Sequence, residues 1–251
     1  MTVAALETIH LSKFFGGLKA TNDVTFRLER GARHALIGPN GAGKTTLINL
    51  LTGVITPSHG EIRLNGADIS TVSREKRVKR GLVRTFQINQ LFAELSVVES
   101  LALVINERRG YGRQWYRRTG SLPGIDDEIA RLVEDFGLES VMDSTCSSLP
   151  YGKQRLLEIA LAIACEPKVL LLDEPAAGVP QADRQEVLKR LAKLPADVSV
   201  LLIEHDMDLV FSFADRISVL VSGALFAEGN VEEIASDPRV KEVYLGGGQH
   251  G

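Results

Sequence analysis

Residues 36–46 read Leu-Ile-Gly-Pro-Asn-Gly-Ala-Gly-Lys-Thr-Thr. From Gly38 to Thr45 this stretch follows the pattern Gly-x-x-x-x-Gly-Lys-[Ser/Thr], in which glycines leave backbone N–H groups bare and able to surround a phosphate chain. The apolar run 34–37 before it predicts a buried strand, and the apolar spacing over 47–51 after it predicts a helix. The N-terminus of that helix directs further N–H groups at the same anion. Strand, glycine-rich loop and helix together predict a phosphate-binding loop in an α/β domain.

Side chains at the end of this loop have specific expected roles. Lys44 is expected to reach the β- and γ-phosphates of a nucleotide, and the Thr45 hydroxyl is expected to ligate Mg²⁺. Thr46 is well placed to hydrogen-bond a phosphate oxygen. The predicted nucleotide-binding residues of the loop are Gly38, Pro39, Asn40, Gly41, Ala42, Gly43, Lys44, Thr45 and Thr46.

Two carboxylates follow an unbroken apolar run at residues 169–172. Such a run is typical of a parallel strand buried on both faces, and ligands of open α/β sheets bind where these strands end. We therefore expect Asp173 to hold Mg²⁺, usually through water, and Glu174 to orient or deprotonate an attacking water. A second apolar run at 198–203 predicts another buried strand, soon followed by His205. A histidine there is on its own more often structural, so the two acids carry the prediction of γ-phosphate hydrolysis.

Length and composition limit the class of protein. The chain has 251 residues, 44% of them hydrophobic and 24% charged, which suits one large globular domain or a domain with a subdomain. The net charge of −3 provides no general attraction to nucleic acid or anionic lipid. Cys146 and Cys165 fit neither a disulfide framework nor a metal site. With no long apolar run and no signal-like start, the sequence predicts a cytoplasmic chain, which leaves docking on a membrane protein open.

The stretches around the loop predict a second, antiparallel sheet. Alternating apolar residues at 6–11 and 24–28, and the segment 60–66, read as strands beside the nucleotide-binding core. The pair Phe14-Phe15 between the first two is more typical of core than of a nucleobase-stacking surface. The basic run 74–80 is interpreted as a solvated helix face.

From residue 88 to 149 the pattern changes to helical spacing, which predicts a helical insertion. The stretch 108–118 inside it is rich in glycine, arginine and aromatic residues. A docking loop or a plain solvated loop is favoured there over a surface that stacks nucleic-acid bases.

Taken in order, these motifs resemble the ATP-binding-cassette (ABC) ATPases over nearly the whole chain. The motifs are Gly38–Thr45, Gln87 after an apolar strand, Leu-Pro-Tyr-Gly-Lys-Gln-Arg at 149–155, Leu-Leu-Leu-Asp-Glu-Pro at 170–175, and His205. More narrowly the chain resembles the ATPase subunits of branched-chain amino-acid importers. The phrases that carry this are Arg-Thr-Phe-Gln at 84–87, Leu-Glu-Ile-Ala at 157–160, Glu-Pro-Ala-Ala-Gly at 174–178, Glu-His-Asp-Met at 204–207 and Val-Tyr-Leu-Gly at 243–246.

The resemblance implies a fold and a domain plan. The fold is α/β, a P-loop NTPase core with an antiparallel β subdomain and an inserted α-helical subdomain. Residues 1–251 would form a single ABC ATPase domain, with the core and its antiparallel subdomain in 1–87 and 150–251 and the helical subdomain in 88–149.

Roles for single residues are implied in the same way. Phe15 resembles the aromatic residue that stacks on adenine, and Gln87 resembles the residue that touches Mg²⁺ and water and senses the membrane partner. Glu174 resembles the catalytic base, and His205 resembles the switch histidine that bonds the γ-phosphate. Tyr151 and Gly152 belong to the signature motif, which binds the ATP held by a second subunit.

The same resemblance implies ATP and Mg²⁺ as cofactors and a set of partners. These are two transmembrane permease subunits, a second cassette that is identical or a paralogue, and indirectly a solute-binding protein. The chain would then lie on the inner face of the cell membrane, and no nucleic acid is expected.

One departure from the family concerns the second position of the signature. The usual serine is replaced by Pro150, which has neither a hydroxyl nor an N–H group. Losing one preorganised donor costs roughly 3 kcal/mol, or about a hundredfold in rate. Turnover is therefore expected to be slower but not abolished. Two alternatives stay open beside the importer ATPase: a soluble ABC ATPase acting on nucleic acid or ribosomes, and a regulatory module that binds ATP without hydrolysing it.

Overall fold

The computed structural model describes residues 3–85, 91–111 and 124–246. Its contacts divide the chain into two compact units. The sheet unit comprises the described parts of Met1–Val83, Lys168–Glu174 and Pro195–Gly251, and the helical unit comprises those of Arg84–Pro167 and Pro175–Leu194.

Ten strands form within the described residues. They are β1 (Leu6–Phe15), β2 (Leu18–Leu28), β3 (Arg33–Ile37), β4 (His59–Leu64), β5 (Ala67–Asp68), β6 (Leu82–Arg84), β7 (Val169–Asp173), β8 (Ser199–Ile203), β9 (Arg216–Val221) and β10 (Ala224–Gly229). A four-stranded sheet has the order β2-β1-β4-β5, and its pairs are antiparallel. A six-stranded sheet has the order β10-β9-β3-β8-β7-β6. These two sheets confirm the predicted α/β core with an antiparallel subdomain.

Nine α-helices form in the same described ranges. They are α1 (Lys44–Thr52), α2 (Arg74–Lys79), α3 (Val97–Arg108), α4 (Ile125–Asp135), α5 (Tyr151–Ala164), α6 (Gln181–Ala192), α7 (Met207–Phe213), α8 (Val231–Ser236) and α9 (Pro238–Gly246). Capping boxes start α3 and α8, through Ser96 with Glu99 and Asn230 with Glu233. Among the described residues, no helix is both long and apolar enough to cross a membrane.

The six-stranded sheet is arranged around the strand that leads into the glycine-rich loop. β3 pairs in parallel with β8 on one side and β9 on the other, and β7 pairs in parallel with β8. The apolar residues of β3, β7 and β8 are fully buried, as expected for parallel strands with both faces covered. Because parallel strands end at the same edge, this sheet brings the segments after all three strands together.

The basic run 74–80 differs from its prediction as a solvated helix face. It does form α2, but Arg77 is only 1% exposed. The Arg77 guanidinium donates to the carbonyl oxygens of Leu50, Leu51, Ser70 and Val72. Those of Leu50 and Leu51 lie in the last turn of α1, where carbonyl groups have no partner within the helix. The interpretation was therefore wrong at Arg77, which stabilises the far end of the helix that follows the loop.

The helical unit has its own packing among α3, α4, α5 and α6. Arg108 on α3 forms a two-pronged ion pair with Glu128 on α4, at 2.7 and 2.9 Å. Arg109 also reaches Glu128, so the first two arginines of the stretch 108–118 are structural. Residues 112–118 of that stretch lie outside the described residues.

Cys146 and Cys165 are both free thiols that form no disulfide.

The two units differ from the division expected from sequence. α5 and α6 lie in 150–251, which the expected plan placed in the core, yet they group with α3 and α4. The physical reason is that the apolar faces of these helices pack on one another. The functional division at 87/88 and 149/150 remains a prediction.

Candidate functional site

The glycine-rich loop has a backbone that other residues would not tolerate. Gly43 has φ of 99°, and a Cβ placed there would lie 2.5 Å from the carbonyl oxygen of Ala20. A Cβ on Gly38 would lie 2.3 Å from the carbonyl oxygen of Leu220. Both distances are far below ordinary van der Waals contact, so glycine is required at each position for close backbone packing as well as for conformation.

Lys44 begins α1 and folds back over its own loop. Its Nζ atom donates to the carbonyl oxygens of Gly38 at 2.6 Å and Pro39 at 3.1 Å. Burial lowers the pKa of Lys44, while the charges of Glu174 and Asp173 act in the opposite direction. The ammonium group is therefore within electrostatic reach of both strand-end acids.

The first turn of α1 offers backbone donors without a competing carboxylate. Gly43 precedes the helix with no side-chain cap, and the first turn contains no acidic residue. Thr45 is exposed and Thr46 half-buried in that turn. Uncapped N–H groups and the positive end of the helix dipole favour an anion at this position.

Glu174 follows β7 in a conformation that is rare for its residue type. Its φ is 46°, in the left-handed region, and its N–H donates to the carbonyl oxygen of Ile203 at 2.9 Å. Non-glycine residues with positive φ carry a conformational cost and are found disproportionately at functional sites. The turn at Glu174 directs its carboxylate toward the segment that follows β8.

His205 meets Glu174 at this edge of the sheet. Its Nδ1 atom lies 3.3 Å from Oε1 of Glu174, and the His205 side chain is 62% exposed. The ring therefore lies at the surface in contact with the candidate base, and its role at the γ-phosphate remains a prediction. Strand register explains the meeting, since Ile203 pairs with both Asp173 and Leu36 across neighbouring parallel strands.

Glu204 is a site residue that sequence reasoning missed. It lies between Ile203 and His205 and is 1% exposed, and its Oε2 atom accepts from the N–H groups of His205 and Asp206. The available signal in the sequence is a carboxylate directly before the histidine, at the end of a predicted buried strand.

Phe15 is 49% exposed at the end of β1, so its interpretation as core from the residues alone was wrong. The Lys13 ammonium lies 5.2 Å from the centre of the ring. Phe14 beside it is half-buried and packs edge-on against His59. An exposed aromatic ring is what stacking on adenine requires, and that role remains a prediction.

The signature residues lie at the start of α5 in the helical unit. Pro150 precedes the helix and supplies no side-chain cap. The Tyr151 hydroxyl donates to the carbonyl oxygen of Ala177 at 3.1 Å. A Cβ on Gly152 would lie 2.9 Å from Cβ of Asp183, so Gly152 allows α5 and α6 to approach closely.

The predicted Mg²⁺ ligands are Thr45, Asp173 and Gln87. Gln87 lies outside the described residues. No cluster of three or more His, Cys, Asp or Glu side chains that could hold a metal ion occurs in the described ranges. Thr45 and Asp173 nevertheless fit Mg²⁺, because this ion takes one or two protein oxygens and completes its shell with phosphate and water.

An open groove of about 490 Å³ lies in the helical unit. Five of its eight lining residues are apolar, and the other three carry carboxylates. The lining residues are Val98, Asp126, Ile129, Ala130, Val133, Glu134, Glu139 and Met142. Apolar area next to single-sign charge suits a basic amphipathic segment.

Known proteins are similar to this chain over most of its length. The chain matches the family described as ABC transporter over residues 21–177, and the family described as branched-chain amino acid ATP-binding cassette transporter over residues 224–250. The high-affinity branched-chain amino acid transport ATP-binding protein BraF of Pseudomonas aeruginosa is 38% identical, over 98% of this chain and 99% of the relative. LivG of Escherichia coli, with the same description, is 39% identical over 92% of this chain and 94% of the relative.

Solved structures agree with these relatives. A nucleotide-free ATP-binding cassette from an ABC transporter has a TM-score of 0.83 and 29% identity, covering 96% of this chain and 98% of that one. An ATP-binding cassette of an ABC transporter in its ADP conformation has a TM-score of 0.82 and 30% identity, covering 98% and 100%.

Proposed function

The chain belongs to the ATP-binding proteins of ABC transporters, in the branched-chain amino acid (LivG/BraF) group, and we propose that it hydrolyses ATP to power uptake of branched-chain amino acids or a related small solute. The observation that carries the proposal is the arrangement of Lys44, Glu174 and His205 at the ends of three parallel strands of one sheet, β3, β7 and β8. A phosphate-binding loop, a candidate base and a candidate γ-phosphate contact stand there together.

Each residue has a place in the proposed hydrolysis. The loop N–H groups and Lys44 bind the β- and γ-phosphates, and Phe15 stacks on adenine. Glu174 takes a proton from a water whose oxygen attacks the γ-phosphorus, while the bond from that phosphorus to the bridging oxygen breaks and ADP leaves. His205 bonds the γ-phosphate and contacts Glu174. When bound, Mg²⁺ neutralises charge on the phosphate oxygens, and Thr45, Asp173 and Gln87 would hold it.

Two cassettes are expected to act as a pair. The signature residues Tyr151 and Gly152 of each would meet the nucleotide held by the other, with backbone N–H groups and the α5 dipole facing the phosphate. The partner is an identical chain or a paralogue. ATP drives the pair closed because the closed state binds it more tightly.

The proposed membrane partners are two permease subunits, with a solute-binding protein acting through them. Cytoplasmic loops of membrane proteins carry an excess of lysine and arginine, which complements the acidic groove of the helical unit. The location proposed for the chain, at the inner face of the cell membrane, follows from the transporter family and is supported by this complementarity. The surface around Gln87 is expected to share in this contact.

The Glu174→Gln variant tests the catalytic assignment. Loss of the base is expected to lower phosphate release about 10²- to 10⁴-fold while ATP binding is retained and the closed dimer accumulates. Phosphate release, nucleotide affinity and elution volume with MgATP measure these effects, and Glu61→Gln on the exposed face of β4 is the control. Phosphate release at the normal rate would remove Glu174 from the mechanism, and a wild type with partners present that never turns over would favour the non-hydrolysing module.

A further inference from the structure

We propose that Glu204 is a positioning residue for hydrolysis, which holds His205 where its ring meets Glu174. This inference rests on the proposed function. It adds a residue that does not itself touch the nucleotide.

Exposure changes abruptly between Glu204 and its neighbour. The Glu204 side chain is 2% exposed, whereas that of His205 is 62% exposed. A carboxylate is rarely buried so completely unless polar groups compensate for lost water. Here its Oε2 atom accepts from the N–H of His205 at 3.1 Å and from the N–H of Asp206 at 3.4 Å.

The link between β8 and α7 is held by two carboxylates in succession. Glu204 accepts from the two N–H groups that follow it, and Asp206 accepts from those of Asp208 and Leu209 to begin α7. His205 lies between these two contacts. Its backbone is therefore held on both sides.

The same carboxylate also faces the histidine ring. Oε2 of Glu204 lies 3.8 Å from Nδ1 of His205, and that nitrogen lies 3.3 Å from Oε1 of Glu174. Removing the acceptor frees the peptide that carries His205 and lets the ring leave Glu174. Misplacement of a catalytic group by about 1 Å costs on the order of a hundredfold in rate.

Two substitutions of nearly equal size distinguish the effect of the hydrogen-bond acceptor at Glu204 from the effect of its side-chain volume. Glu204→Gln keeps an oxygen that can accept both N–H groups, and Glu204→Met removes it while filling the same space. We expect the glutamine variant to keep kcat within about threefold and the methionine variant to lose about 30- to 100-fold. Nucleotide Kd should change less than about threefold in both, because Lys44 and its loop are not touched. Asn230→Ala, which removes the cap of α8, controls for a general loss of stability.

A double-mutant cycle with His205→Ala identifies the route of the effect. If Glu204 acts through His205, Glu204→Met adds no further loss of kcat in the His205→Ala background. Should Glu204→Met fail to fold, Glu204→Asp, whose shorter side chain withdraws the carboxylate, replaces it in the same cycle.

Three results would overturn the inference: an unchanged kcat in the methionine variant, an equal loss in the glutamine variant, or additive losses in the cycle. If wild-type turnover depends on Glu174 and any of these three results is found, the role of Glu204 is rejected and the proposed function stands. Absence of wild-type turnover with partners present would reject the proposed function itself.

Discussion

At the level of single residues, Glu174 combines a candidate catalytic carboxylate with an unusual backbone conformation. Its candidate role could be proposed from the sequence because two successive carboxylates follow an unbroken apolar run in a chain that also carries a phosphate-binding loop motif. The sequence could not predict its φ of 46°, because glutamate has no intrinsic preference for the left-handed region. The strain, of order 1–3 kcal/mol, is imposed by the turn after β7 and is maintained by the N–H contact to Ile203.

Buried His34 makes stability depend on pH. Burial, opposed by Glu228 and reinforced by Arg216, lowers the pKa of His34 to about 4. Its Nε2 atom lies 2.9 Å from Oγ of Ser218. Above pH 6.5 the group is neutral in folded and unfolded chains alike, and below it only the unfolded chain gains the proton. Stability is therefore lost as pH falls from 6.5 toward 4, by about 2 kcal/mol at pH 5.

Urea unfolding at pH 7.5 and pH 5 measures this loss, and the His34→Gln variant should lack it. Burial also raises the pKa of Glu158 to about 7 despite Arg155 beside it, which destabilises the fold as pH rises from 4.5 to 7. The contribution of Glu158 has the opposite sign, but it is the same in the wild type and in the His34→Gln variant. An equal pH slope in wild type and variant would exclude His34 as the cause.

Single-residue environments were the hardest to predict. Phe15 and Arg77 were misjudged because exposure depends on tertiary packing, which a hydropathy pattern does not determine for isolated aromatic or basic residues. Glu204 was missed because an acidic residue after a strand is normally solvated. Positions of the motif residues could be proposed from the sequence, since phosphate binding requires particular residue types at fixed spacing.

At the level of elements, α1 is fixed at both ends. Its start carries the glycine-rich loop, and Arg77 binds the carbonyl groups of Leu50 and Leu51 at its end. Arg77→Met leaves four carbonyl groups without this donor and is expected to cost about 3 kcal/mol of unfolding free energy. Chemical denaturation measures the loss, and Lys76→Met, exposed on the same helix, should stay within about 0.5 kcal/mol. Similar values for the two variants would show that the buried contacts contribute nothing.

Helix α5 begins without a side-chain cap at Pro150. Pro150→Ser supplies a hydroxyl that caps the helix, worth about 1 kcal/mol, and restores the donor for a phosphate. We expect turnover to rise, by up to about a hundredfold. Pro180→Ser at the uncapped start of α6 is the matched control, because it adds the same kind of cap to a different helix and leaves position 150 unchanged. A rise in stability of both variants with turnover unchanged in both would reject a phosphate contact at position 150.

The type and order of elements were largely predictable. Unbroken apolar runs identified β3, β7 and β8, and helical spacing identified α3 through α5. Which helices pack together was not predictable in the same way. α5 and α6 stand on either side of the core strand β7 in the chain, but they pack with α3 and α4.

At the level of the whole molecule, the proposed function depends on contacts with other chains. The acidic groove of the helical unit is the surface proposed for membrane partners. Asp126→Lys with Glu134→Lys should abolish stimulation of ATP hydrolysis by the permeases and leave basal hydrolysis within about twofold, because like charges repel the basic loops. Asp135→Lys, on the same helix but outside the groove, is the control. Full stimulation of the double variant in reconstituted vesicles would place the docking surface elsewhere.

The position of β3 has a consequence for synthesis of the chain. β3 completes its hydrogen bonding only with β8 and β9, whose residues follow it by more than 160 positions. On the ribosome this strand therefore waits, apolar and unpaired, until most of the polypeptide has emerged. Nascent chains halted before residue 199 should be bound by chaperones and unable to retain ATP, even though the entire glycine-rich loop has long been translated.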